Sequence, residues 1–554
     1  MKNWCKSLLA TVVLTMLAAV VFYYFWLPAF NVKALKFWIF VVVIFLFAAI
    51  ANEMFFLIFA GKKKYARKGK GHTISIAAFF AAVFVGVVGI LLAVASAPIF
   101  HAKGYSNILQ VQEACNFEED LSETLSTDAI AIMDTDSARM LGDRKLGSLS
   151  SLVSQYDVGS EYSQINYKGA PAKVSALDYA GFFKYIRNRN KGVPGYVLVS
   201  PVNMSAEYVA LEANMKYVPS AYFSKDLLRH IRGRYRTEMI RSIWFEIDEK
   251  GKPYYVASVY DNTIGLFGGE DVVGAILIDP VTGEMEYKKS EEVPNWVDIV
   301  YDGDLLCGQY NYYGNLKNGY WNSKFSAEGC KVTTDDFGYV AIDEDIWVYT
   351  GVTSVNSDAS NIGFVLMNER TKETKFYEIA GADESSAMRA AEGEVQQYGY
   401  DASFPSLINI DGNATYIMVL KDSGGLVKMY AAVNAEQYNI VATASGQKEC
   451  IDKYRRLLKV DGDEEDLQEQ GAAAQEPEKT ETPLEDSLFE EKKVVVRKLE
   501  QIVVDGNTML YLLTEDGEFY HAKYTDVLGM MDVKEGQKIT IRVYGEYFRY
   551  GSDD

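Results

Sequence analysis

Histidine is nearly absent from this chain, at four in 554 residues, and only His101, His230 and His521 lie beyond the first hundred. No HExxH pair, CxxC spacing or lipobox-like cysteine accompanies them, so a zinc centre and a lipoprotein anchor have no ligand set. No GxSxG elbow occurs, nor a glycine-rich loop ending in Lys-Ser or Lys-Thr, which removes the usual nucleophile and phosphate-cradle signatures. Turns at 411–413 and 422–424 offer oxygen ligands, yet neither continues into a calcium loop closed by a bidentate glutamate. The sequence assigns no catalytic residue, cofactor or metal ligand.

Positive charge is the second shortage. The first hundred residues hold ten Lys and Arg against one acid, Glu53, whereas the rest of the chain holds 45 against 74. The whole chain carries −20, and the part beyond residue 100 carries −29. A surface this acidic repels nucleic acid, whose binding needs a concentrated basic patch. A basic stretch outside the first hundred residues, 224–238, reads as a helix carrying Arg229, Arg232, Arg234 and Arg236. It either offers an interaction surface or balances the chain's own carboxylates. Cysteine is also sparse, at five. Among Cys115, Cys307, Cys330 and Cys450, a Cys307–Cys330 pair is favoured because it would close a stretch, 308–320, that reads as turns. Closing a loop of that size is worth roughly 3 kcal/mol on the chain-entropy model.

Long apolar runs are what the first hundred residues do have, at 8–27, 37–60 and 74–99. Each is long enough to cross about 30 Å of hydrocarbon at about 1.5 Å per residue. The loop 61–72 carries six basic residues and no acid, which places it on the cytoplasmic side. The third span then exits, and residues 101–554 are extracytoplasmic. The first run continues into Phe22, Tyr23, Tyr24, Phe25 and Trp26 rather than a small-residue cleavage site, so it is read as a retained helix. Asn52 and Glu53 are the polar exceptions within the spans, explained by helix pairing or snorkelling, with a functional carboxylate as the alternative.

The fold class expected is multi-domain: three N-terminal transmembrane helices, extracytoplasmic α+β domains with antiparallel sheets, and a C-terminal small β-barrel. The divisions are a 1–100 anchor, a 101–122 connector, α+β domains at 123–205 and 206–300, a turn-rich insert at 301–345 and an α+β repeat domain at 346–459. An acidic linker follows at 460–490, then a barrel at 491–554. The apolar run 129–133 reads as a strand. Between 461 and 490 twelve acids stand against one lysine, a composition that repels itself and lacks a core. Beyond it, five short alternating runs suggest an oligonucleotide-binding or SH3-like barrel, with Phe519, Tyr544 and Phe548 as a candidate ligand face.

An internal echo runs through the middle of the chain. Residues 277–287 align with 366–376, an offset of 89, with apolar residues, a polar turn, Thr, Glu and an aromatic in step. The segment 279–284, Asp-Pro-Val-Thr-Gly-Glu between two strand patterns, resembles the hairpin of PepSY-type extracytoplasmic domains. That resemblance covers 254–288, with an echo at 363–380, and implies an association with peptidase inhibition or regulation. The expectation is therefore a membrane-anchored scaffold or interaction protein of the cell envelope. Its expected partners are the lipid bilayer and an envelope protein or peptide, with no nucleic acid and with self-association open. The alternatives are a regulator of an extracytoplasmic peptidase and an envelope enzyme, the latter requiring a cleft that gathers carboxylates or a Ser-Lys pair.

Overall fold

A computed structural model describes residues 3–60, 70–113, 115–121, 133–355, 360–471, 490–504, 507–523, 527, 530, 533–534, 536–544 and 547–550. All but the last residue of the strand expected at 129–133, and most of the basic loop 61–72, lie outside these residues.

Helices α1 (Asn3–Trp26), α2 (Leu35–Ala60) and α3 (Lys70–Ala95) contain membrane-spanning segments of 23, 25 and 25 residues. The chain is a membrane protein with an extracytoplasmic α+β segment. One amide holds the three spans together. Asn52 donates to Gly71 O and Ser75 Oγ, both at 2.8 Å, and its Oδ1 accepts from Ser7 Oγ at 3.1 Å and Thr11 Oγ1 at 3.4 Å. Glu53 meets His72 Nδ1 at 2.6 Å. Both polar residues therefore serve contacts between helices, where lipid offers no alternative partner.

The α+β part is a stack of sheets. After α4 (Pro98–Ser106), the edge strand β1 (Val111–Gln112) and α5 (Phe117–Asp120), helix α6 (Thr135–Gly147) leads into the first sheet. That sheet runs β2-β4-β5-β6, from β2 (Tyr156–Val158), β3 (Ser163–Tyr167), β4 (Ala170–Tyr179), β5 (Val193–Ser200) and β6 (Ser205–Met215), with β3 also paired to β4. Helix α7 (Phe182–Asn188) links β4 to β5, and α8 (Leu227–Arg234) precedes the second sheet. The second sheet is a meander of β7 (Met239–Ile247), β8 (Pro253–Ile264), β9 (Gly268–Ile278) and β10 (Met285–Lys289). Helices α9 (Gly303–Leu316) and α10 (Tyr320–Phe325) introduce the third, built from β11 (Lys331–Thr333), β12 (Gly338–Ile342), β13 (Asp345–Ser354), β15 (Gly363–Asn368) and β16 (Thr374–Tyr377), with β1 joining beside β16. The short pair β14 (Ser360–Asn361) and β17 (Gly381–Ala382) leads to α11 (Glu384–Glu394). The fourth sheet follows, with β18 (Asp401–Ala402), β19 (Ser406–Ile410), β20 (Asn413–Lys421), β21 (Val427–Asn434) and β22 (Val441–Ala444), and α12 (Gln447–Gly471) closes the unit.

Strand alternation explains the stacking. In β8, Tyr255, Ala257 and Val259 face a core shared with Tyr196 and Val197 of the first sheet, while Val256 faces the opposite way. That opposite core takes Leu305, Leu306 and Tyr310 of α9 and Val348, Val365 and Met367 of the third sheet. Tyr349, Phe364 and Leu366, one residue out of step, meet α11 and the fourth sheet. Ile417 and Val419 pack under Ile451 and Tyr454 of α12. Interior sheets are apolar on both faces, so their strands read as unbroken hydrophobic runs.

Several expected boundaries change. The division at 205/206 falls inside a hairpin, because β6 pairs with β5. The insert at 301–345 begins with helix, not turns: Asp302 caps α9, accepting Leu305 N–H at 3.0 Å, and Leu305, Leu306 and Tyr310 supply a buried face at helical spacing. The basic helix is shorter than 224–238, ending at Arg234. Helix α12 continues through Gly471 into the expected linker, and 472–489 lie outside the described residues.

The internal echo is real in three dimensions. In each copy the residue opening the turn, Asp279 or Asn368, accepts two backbone N–H groups through Oδ1, at 2.8 and 3.1 Å or at 2.9 and 2.8 Å. Thr282 and Thr371 accept from the N–H of Glu284 and Glu373. Gly283 has φ 82°, and Lys372 adopts φ 67° at the matching place. The Asx turn and paired strands thus impose a left-handed residue even where glycine is absent.

A second compact unit, Glu464–Asp554, contains a nearly closed barrel of β23 (Glu490–Val504), β24 (Asn507–Thr514), β25 (Phe519–Lys523), β26 (Lys538–Tyr544) and β27 (Tyr547–Arg549). The long β23 pairs with β24 along one half and with β26 along the other, which lets one strand turn the corner.

Candidate functional site

Between β11, the end of β13, β14 and the start of α11 lies a cleft of about 530 Å³. Asp383 forms the N-cap of α11, its Oδ1 accepting Ser386 N–H at 2.6 Å. The next residue, Glu384, is buried, and its Oε1 accepts Gly351 N–H at 2.6 Å. Burial pushes its carboxyl upward, opposed by donors from the Gly351 backbone, Thr334 and Asn361.

Asn361 is only 2 % exposed. Its Nδ2 faces Ala382 O at 3.4 Å and Tyr416 Oη at 3.5 Å, while Oδ1 has no partner among the described residues. Leaving such a group dry costs about 1–3 kcal/mol. Close approach explains Gly351 opposite it, where an added Cβ would stand 2.1 Å from Asn361 Nδ2. The hydroxyl of Tyr349, whose ring lies 6.0 Å from that of Phe404, is likewise buried and unpartnered. Asp335 and Asp336 stand exposed at the rim, and Met388 and Phe404 supply an apolar side. No Lys or Arg lines the cleft among the described residues. It therefore offers carboxylates and an idle carbonyl acceptor to a ligand rich in N–H donors.

No family model matches this chain, and no curated protein does.

A second charged feature sits deeper, at the meeting of the first three sheets. Glu246 of β7 accepts the N–H groups of Asp298 and Ile299 at 2.8 and 3.1 Å. Asp298 accepts Asn166 N–H at 2.8 Å, and the carbonyl of Glu369 accepts Val300 and Tyr301 N–H at 3.0 and 2.7 Å. Burial drives all three carboxyls upward, reinforced by mutual repulsion at Asp298 and Glu369. Lys173 of β4 is pushed down to about 8 by the same burial. Backbone donors that join separate sheets occupy Glu246 and Asp298, so the feature works as an internal fastening. Among the described residues, no group of three or more His, Cys, Asp and Glu could hold a metal ion.

The residues singled out from sequence scatter. Arg229 donates to Phe223 O at 2.7 Å and Tyr24 O at 3.2 Å, with its guanidinium 4.1 Å from the Tyr24 ring centre. Arg232 is buried and donates to Leu27 O at 3.1 Å and to Tyr235 O and Glu238 O. Both cations thus serve the carbonyl end of α1, where the helix dipole is negative. Arg234 and Arg236 stay exposed. Lys33 adds an ion pair with Asp261 at 2.6 Å. In the barrel, Phe548 belongs to the core, Phe519 is half exposed and stacks on Tyr511 at 5.5 Å, and the side chain of Tyr544 lies outside the described residues. The candidate aromatic face accordingly loses Phe548. Cys307 and Cys330 are free thiols. Cys307 sits on α9 against the core, while Cys330 lies 3.6 Å from Asn315 O and 3.4 Å from Asn322 Nδ2, so the helix removes the open loop a disulfide was expected to close.

The cleft has one local sign in the sequence, the pair Asp383 and Glu384 opening a helix, which is ordinary capping chemistry, and nothing in the sequence brings Asn361 beside it.

Proposed function

We propose that this membrane protein is an extracytoplasmic interaction protein of the cell envelope that takes a basic peptide segment of its partner into the acidic cleft. The observation that carries the reading is Asn361, buried at the cleft with an idle Oδ1 beside the carboxyl of Glu384. A Lys or Arg side chain supplies what the site wants: N–H donors for Oδ1 and positive charge for Asp335, Asp336 and Glu384. The docked anchor supports the same role, since it presents the cleft from a fixed base.

The test is site-directed photocrosslinking in intact cells, with the reactive group in place of Val355 at the cleft wall and, as control, Tyr438 on the β21–β22 turn. Capture of an envelope protein or wall peptide from 355 and not from 438 is expected. Equal capture at both positions would sink the reading.

A second reading, an envelope hydrolase, has one observation in its favour: Asp335, Asp336, Asp383 and Glu384 share this cleft. Against it, Asp383 and Glu384 are already engaged by backbone N–H groups. Cleavage of wall glycan by the purified full-length protein, abolished by Glu384→Gln, would favour the hydrolase. The doubled Asx-turn hairpin keeps the PepSY-like regulatory role as a narrower version of the interaction reading.

A further inference from the structure

We infer that two aromatic patches of the ectodomain enter the outer leaflet of the bilayer beside the three spans, so that the ectodomain lies on the membrane.

The most exposed large apolar side chains beyond the spans and their connecting loop are Phe183 at 84 %, Phe325 at 82 %, Phe100 at 63 % and Trp321 at 61 %. Soluble surfaces seldom leave such groups bare in clusters. Phe183, Phe325 and Trp321 fall in two aromatic groups. In the first, the ring of Phe182 lies 5.7 Å from that of Phe183, 5.0 Å from Tyr222 and 6.3 Å from Phe223. In the second, Trp321 and Phe325 stack at 5.7 Å with 18° between their planes.

Their height above the membrane is fixed by short contacts. The guanidinium of Arg229 bridges Phe223 O and Tyr24 O, and Tyr24 stands in the last turn of α1. The first patch is therefore one side chain away from the outer end of a span. The second patch belongs to α10, which packs on α4, and α4 begins immediately past the end of α3. Tyr105 of α4 donates to Ser96 O at 2.7 Å, and the N–H of Leu266 donates to Ser96 Oγ at 3.0 Å, holding that side down as well.

Charge gives an independent reason. In an ectodomain of −29, the stretch 181–200 holds Lys184, Arg187, Arg189 and Lys191 and no acid. Aromatic rings with basic neighbours are what the headgroup region favours, the rings at the acyl boundary and the cations on lipid phosphate. The occupant is thus the phospholipid surface itself, continuous with the lipid already around α1 and α3.

The experiment uses full-length protein in nanodiscs of phosphatidylcholine and phosphatidylglycerol, doped with a phospholipid carrying a diazirine near its glycerol. After photolysis, adducts are mapped by mass spectrometry. Peptides containing 182–186 and 321–325 should carry about tenfold more adduct than those containing Tyr398 or Tyr438, which are also exposed aromatics. The double variant Phe183→Asp, Phe325→Asp should lose the patch adducts and keep those on the spans, which shows that the anchor still inserts. Adducts confined to the three spans, or equal at the patches and the two tyrosines, would overturn the inference. The outcome is independent of what the cleft binds.

Discussion

The basic helix and the acidic cleft are the two obvious charged features of the first unit, and they have opposite fates. On α8, Arg229 and Arg232 are spent on carbonyls of the anchor and of neighbouring loops. At the cleft, carboxylates crowd together without a lysine or arginine among the described residues, and a buried amide oxygen has no partner among them. A charged patch whose partners are all internal is a structural joint. A charged patch that lacks them is a place for a ligand. Sequence alone would have ranked the two the other way round, since four arginines within eight residues are conspicuous.

The largest expected effect breaks the joint. Arg232→Ala leaves the carbonyls of Leu27 and Glu238 without a buried donor and should cost about 3 kcal/mol. Thermal melting of the full-length protein in nanodiscs checks the loss, and faster hydrogen exchange at 27–34 checks its location. Next comes the cleft. Asp335→Asn with Asp336→Asn should weaken binding of a lysine-rich peptide about tenfold, near 1.4 kcal/mol, by fluorescence anisotropy, without moving the melting temperature. An unchanged affinity would remove the rim carboxylates from the proposed function.

A third effect concerns the internal fastening. Glu246, Asp298 and Glu369 have carboxyls raised by burial, so the folded chain holds protons that the unfolded chain gives up in the ordinary carboxylate range. Their contribution is fully present below that range and is lost as pH rises through the raised values. Lys173, pushed down to about 8, acts the other way, adding stability as pH climbs above that value. Glu246→Gln should flatten the fall in melting temperature between about pH 5 and about pH 7 by roughly 3 °C. The smallest effect tests the exposed arginines at and just past the end of α8: Arg234→Glu with Arg236→Glu should shift stability by no more than about 0.5 kcal/mol.

What could be read from the sequence followed from periodicity and length. Three apolar runs, the barrel's alternation and the two hairpins at 277–287 and 366–376 all carry local signals. The hairpin match survived the loss of Pro280 and Gly283 in the second copy because the Asx side chain and the threonine, not the glycine, define that turn. Stretch 308–320 misled for a comparable reason: its Gly, Asn and Tyr residues have weak helix propensity, and buried contacts of Leu305, Leu306 and Tyr310 override it. The cleft was invisible because Thr334, Gly351, Asn361 and Glu384 meet only through the tertiary arrangement of β13, β14 and α11. Likewise nothing along the chain says that Arg232 will find Leu27.

That last contact has a practical meaning for anyone who cuts this protein. A fragment begun after the third span would leave Arg232 with one of its acceptors gone, and Asp261 without Lys33. The lipid boundary is thus no seam along which the polypeptide separates into an anchor and a free-standing exterior. The loop 27–34 belongs to the exterior's own fold, although nearly two hundred residues of sequence divide it from the helix it caps against.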